Sequence, residues 1–178
     1  EQVVDLPSEF ISLANNNLPI TAKPALKYLK DRGVTKSDIL KWKIGYCSSG
    51  QYENRIIIPS FKGDGYANYF VARTYSKHWK RYLNPPASND IVFNELYVDW
   101  DSDLCIVEGA FDAIVAGNAV PLLGSSLREN SKLVQQIVRN DTPVYLALDP
   151  DAKSKEQKLT KMLIQYDIEL YKIDISGF

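Results

Sequence analysis

The sequence predicts an α/β protein: an α+β N-terminal subdomain with an antiparallel hairpin, packed on a mainly parallel βαβαβαβ sheet. Two β-branched and aromatic runs, "NRIIIPSF" and "YANYFVARTY", are joined by the turn-forming "KGDG", the pattern of a hairpin. From about residue 103 short apolar runs alternate with helical stripes, the pattern of a parallel sheet covered by helices. No internal repeat, low-complexity segment or long Gly/Ser linker separates the two patterns. The division expected is therefore 1–102 and 103–178, two parts packed together rather than tethered.

Taken in order, "PALKYLKDRGV" places Ala25, Tyr28 and Leu29 at helical spacing with Gly33 as a stop. "TKSDILKW" opens a second helix with Thr35 as cap and Asp38 three residues on. The hairpin follows. Beyond it, strand Leu104 to Val107 leads to helix "GAFDAIVAGN", strand "AVPLLG", helix "RENSKLVQQIVRN", strand "PVYLAL", helix "SKEQKLTKMLIQY" and strand "IELYKIDI". Ser126 with Glu129, and Ser154 with Gln157, have capping-box spacing. Leu159, Met162, Leu163 and Tyr166 form one apolar stripe, read as core packing.

The chain has 178 residues, 45% hydrophobic and 24% charged, enough to bury a core in one domain or two small joined ones. No apolar run approaches the roughly 18 residues of a membrane span. The start "EQVVDLPSEF" lacks signal-peptide character. A cytoplasmic protein is expected, with no membrane partner. Cys47 and Cys105 show no C-x-x-C pattern, so neither a zinc site nor a disulfide framework is expected. A net charge of −1 excludes a global basic field. Locally, "RTYSKHWKRYLNPP" carries Arg73, Lys77, Lys80 and Arg81 with no acid, which reads either as a solvated loop or as a nucleic-acid patch. His78, a lone histidine in that loop, is read as solvated.

Acids follow the apolar runs. Glu108 comes straight after Val107, and Asp149 and Asp151 straight after Leu148. In a parallel sheet the loops after the strands share one edge, where ligands bind. Asp112, four residues after Glu108, is expected on the same helix face. Asp149 alone could turn the chain and cap a helix, and Glu108 could favour a helix N-terminus. Acids converging on one cleft repel each other unless a hard divalent cation takes their oxygens, and the combination points to magnesium or manganese held by Glu108, Asp112, Asp149 and Asp151.

The runs "VEGAFDAI" and "ALDPDA" resemble the Toprim domain shared by bacterial-type primases, topoisomerases and some nucleases. Upstream, "LKYLKDRGVTKSDILKWKIGY", "NRIIIPSF", "YFVARTYS" and "KRYLNPPASNDIVFNELY" resemble the segments that precede Toprim in the RNA-polymerase domain of DnaG-type primases. The likeness covers about residues 24–174 and points to a primase of the phage-encoded sort, which would work in the bacterial host cytoplasm.

That resemblance implies a Toprim-like parallel sheet and synthesis of short RNA primers on a single-stranded DNA template. Ribonucleoside triphosphates and Mg²⁺ or Mn²⁺ would be used, beside a replicative helicase, fused or separate. It implies Glu108, Asp149 and Asp151 as catalytic residues, with Asp112 supporting the metal. It implies Arg55, Arg73, Lys80, Arg81, Tyr82 and Asn84 as contacts to template or nucleotide. Three departures stand against the family pattern. The lysine usual shortly before "LYG" is missing from "FNELYVDW". Only Asp174 stands where another acidic pair is usual. The zinc module usual before this region is not in the sequence, so an excised catalytic core, truncated at its C-terminus and preceded by linker "EQVVDLP", is expected. Two other functions compete: a Toprim nuclease using the same acids, and a non-catalytic module that holds single-stranded DNA or docks a helicase.

Overall fold

In the computed structural model of the chain, which describes residues 1–177, the change of pattern separates two sheets. The first is antiparallel, in the order β1 (Ile11–Ser12), β2 (Gly45–Cys47), β3 (Arg55–Phe61), β4 (Ala67–Thr74). The second is parallel, in the order β6 (Ala119–Pro121), β5 (Leu104–Val107), β7 (Val144–Ala147), β8 (Leu170–Lys172). They lie in separate compact units, Glu1–Ala87 and Ser88–Phe178. The mixed α/β class and the two kinds of sheet are those expected.

In the first unit, α1 (Ala22–Asp31) buries Ala22, Ala25 and Leu29 along one face. Gly33 ends it at φ +78°, a conformation that costs glycine little, and Val34 N donates back to Leu29 O at 3.0 Å. Helix α2 (Lys36–Lys41) starts on the expected box: Asp38 N donates to Thr35 Oγ1 at 3.1 Å, and Thr35 N to Asp38 Oδ2 at 2.8 Å. The hairpin β3–β4 runs from Arg55 opposite Thr74 to Phe61 opposite Ala67, with an irregularity at Ser60/Phe61. Ile56, Ile57 and Ile58 are fully buried, so both faces of β3 are covered, at about 1.5–3 kcal/mol per side chain. On one face Ile57 joins Cys47, Tyr52, Phe70 and Ala72 in a core against which Val4, Leu6, Phe10 and Leu83 pack.

Strands β1 and β2 were not expected. They are too short to show a period of two, and their pairing depends on Gly45, where a Cβ would lie 2.5 Å from Ile11 O. Both cysteines are free; burial, with Glu9 adding to it, pushes the Cys47 thiol up to about 11, and burial raises Cys105 too.

In the second unit, helices α3 (Ala110–Ala116), α4 (Lys132–Asn140) and α5 (Lys153–Gln165) alternate with the strands as expected. Two helix starts differ. Helix α4 begins after Ser131, whose Oγ accepts from Arg128 N at 2.8 Å, so Ser126 and Glu129 remain in the preceding loop. Helix α5 begins at Lys153, which puts Ser154 inside it. Of the stripe on α5, Leu159 and Leu163 are buried while Tyr166 is exposed.

The parallel sheet starts at β5, but its compact unit starts at Ser88, because the stretch before β5 is tied to it. Asp90 Oδ1 accepts from Lys132 N at 3.1 Å, Thr142 Oγ1 donates to Trp100 O at 2.7 Å, and Asn118 Nδ2 donates to Asp99 O and Asp103 O. Among the described residues no helix is long and apolar enough to cross a membrane.

Candidate active site and nucleic-acid interface

Register decides which acids meet. Val107 pairs with Ala147 across adjacent strands, so Glu108 leaves the sheet level with Leu148 and Asp149 follows one residue later. From β5 the chain goes to β6 on one side and then to β7 on the other, making the gap between β5 and β7 the switch point, where parallel sheets place ligands. The loop after β6 is drawn in by Leu122 N donating to Val107 O at 2.8 Å and Leu123 N to Glu108 O at 3.0 Å. The result is an open cavity of about 450 Å³ lined by Glu108, Asp149, Asp151, Ser126, Lys155 and Lys158, among others.

Glu108 is the least solvated of these acids. Its side chain is 17% exposed, its Oε2 lies 3.4 Å from Lys155 Nζ, and its Oε1 is buried with no hydrogen-bond partner. A buried carboxylate oxygen left without a donor is costly and marks a place where one is to be supplied. Asp112 does not join the group. Its side chain is exposed and its Oδ2 accepts from Gly109 N at 3.2 Å, tying down the first turn of α3. Because α3 starts only at Ala110, Glu108 precedes the helix and the two acids do not share a helical face. Lys155 was not singled out from sequence; its position in the first turn of α5, four residues after Asp151, is the signal that points to it.

The basic candidates lie in the first unit and divide into buried and exposed. Arg55 is 4% exposed, and its guanidinium donates to Arg81 O at 3.1 Å and Lys80 O at 2.8 Å, with a longer approach of 3.5 Å to Ala72 O. Burial, and secondly the Arg73 charge, push it below the ordinary guanidinium value. It braces the loop from beneath and is not a surface contact, which corrects the expectation from sequence. Asn84 is half-buried, and its Oδ1 accepts from Ala72 N at 3.2 Å. With Leu83 N donating to Ala72 O, Thr74 N to Arg81 O, and Arg73 bridged to Tyr82, the "RYLN" segment covers the open edge of β4. Arg73 stacks its guanidinium 5.0 Å from the centre of the Tyr82 ring, and Lys80, Arg81 and Tyr82 are exposed.

Neither a family model nor a curated protein matches the sequence. Solved structures match the fold. The Aquifex aeolicus primase, comprising zinc-binding and RNA polymerase domains, is 20% identical with a TM-score of 0.72, over 86% of this chain and 50% of that one. A DnaG primase catalytic domain bound to single-stranded DNA is 18% identical with a TM-score of 0.75, over 90% of this chain and 66% of that one. The Escherichia coli primase catalytic core is 17% identical with a TM-score of 0.70, over 89% and 68%. The chain therefore has the fold of DnaG-type primase catalytic cores, and it spans half the length of the first of these structures and about two thirds of the other two.

Proposed function

We propose that this chain is the catalytic core of a DNA primase of the Toprim type, making short RNA primers on single-stranded DNA by metal-dependent nucleotidyl transfer. The observation that carries the reading is the convergence of Glu108, Asp149 and Asp151 on one cavity at the switch point of a parallel sheet, in a primase fold. The donor set suits a hard divalent cation: carboxylate oxygens with no thiol or imidazole among the cavity residues, and one buried oxygen lacking a donor. Among the described residues no three acids stand close enough to hold an ion unaided. Magnesium keeps several waters and takes substrate phosphate oxygens as ligands, so its shell would be completed by water and nucleotide.

Glu108, Asp149 and Asp151 would hold the ion, which when bound neutralises charge on the nucleotide phosphates. The protein's own groups do the rest. Glu108 lines the cavity and would position the ion and take up a proton from the attacking hydroxyl through its solvent-facing oxygen, while Lys155 and Lys158, also in the lining, would offset phosphate charge entering it. Arg73, Lys80 and Arg81 meet the template backbone, with Tyr82 as an aromatic face.

The contact of Lys155 with Glu108 favours one other reading, a binding module in which Glu108 is paired with a lysine rather than with an ion. Incorporation of labelled ribonucleotide on single-stranded DNA separates the two. Glu108→Gln and Asp149→Asn should lower incorporation on the order of 100-fold while template binding by anisotropy stays within twofold. Loss of both activities together would make the acids structural; retention of both would leave the binding module.

A further inference from the structure

We infer that the exposed indole of Trp79 is a stacking platform for an unpaired base of a single-stranded nucleic acid. The inference rests on the template reading above and extends it to a residue that reading does not use. Trp79 is 87% exposed, whereas tryptophan ordinarily buries most of its large apolar surface. Its ring lies beside that of His78, centres 5.8 Å apart and planes 24° from parallel.

The loop that carries it is held firmly. Arg55 donates to Lys80 O and Arg81 O from below, Thr74 N donates to Arg81 O at 2.9 Å, and Lys80 N donates to His78 Nδ1 at 3.0 Å. An aromatic group presented on a braced loop loses little freedom when something stacks on it. Its neighbours in sequence, Lys77, Lys80 and Arg81, are exposed, and no acid lies between Arg73 and Arg81. Cations interleaved with aromatic rings match a single strand, in which phosphates alternate with flat bases. A protein partner would call for a contiguous apolar patch, and residues 76–81 around the indole are polar and exposed.

The test titrates the chain with oligothymidylate and with an abasic strand of equal length, reading tryptophan emission together with anisotropy of a labelled strand. Oligothymidylate should quench emission and the abasic strand should bind without quenching. Trp79→Ala should abolish the quench and weaken oligothymidylate binding on the order of tenfold, leaving abasic binding and its salt slope unchanged. Trp79→Tyr should recover most of the loss. Because the side chain is outside the core, circular dichroism of both variants should match the parent. A quench that persists in Trp79→Ala, arising at Trp42 or Trp100, or an unchanged affinity for oligothymidylate, would overturn the stacking role and leave the indole to a protein surface. Failure of the unaltered chain to bind either strand would overturn the template reading and this inference together.

Discussion

Arg55 and Lys80 are both basic residues that the family resemblance marks as template contacts, yet only one of them faces solvent. Their equal charge does not distinguish them. What separates them is that Arg55 opens a strand buried on both faces, so its charge must find acceptors inside, and the carbonyls of Lys80 and Arg81 provide them. Arg55→Lys keeps the charge but loses the planar fork. It should loosen the loop and weaken single-strand binding by three- to tenfold, about 1 kcal/mol, with the slope of log affinity against log salt unchanged. Lys80→Ala should instead lower that slope by about 1, as expected when a phosphate contact is removed. Anisotropy titrations across a salt series read both. An affinity of Arg55→Lys within twofold of the parent would remove the bracing role. At this scale, charges could be listed from the sequence but not assigned to water or to the interior.

Elements were more readable than residues, and the reason is length. The hairpin, α1 and α2 show a period or a cap, the parallel strands stand out as apolar runs between helical stripes, and the acids at the ends of β5 and β7 follow from where an apolar run stops. Strands β1 and β2 have too few residues to show alternation, and the start of α4 is set by a turn through Ser131 that capping-box spacing does not reveal. Asp112 shows the same limit. The E-G-x-x-D spacing suggested a ligand, but α3 starts two residues after Glu108 and uses Asp112 to tie its first turn. Asp112→Ala should therefore cost about 1 kcal/mol of stability through the lost bond and the lost helix-end charge. Manganese affinity should stay within twofold. A drop in manganese affinity without a change in urea midpoint would restore Asp112 to the metal site.

At the scale of the molecule, each unit carries its own sheet, and all the groups that line the cavity belong to Ser88–Phe178. The change of sequence pattern near residue 103 marks the first parallel strand but misses the preceding stretch, in which Ile91, Val92 and Phe93 are buried and Asp90 and Trp100 bond to later elements. A fragment of residues 88–178 should fold with its cavity intact. One of residues 103–178 should lose several kcal/mol, about 1 for each broken hydrogen bond and about 1.5–3 for each apolar side chain removed, read from urea midpoints. Equal midpoints would move the boundary of the unit to the start of the sheet. The central claim is that Glu108, Asp149 and Asp151, completed by nucleotide phosphate and water, hold a divalent cation for phosphoryl chemistry, and the most direct measurement is anomalous diffraction from crystals of the chain soaked in manganese together with a ribonucleoside triphosphate. A peak in the cavity bounded by Glu108, Asp149 and Asp151, reduced in Asp149→Asn, is the expected result. Peaks confined to surface acids such as Asp101 and Asp103, with the cavity empty, would contradict it.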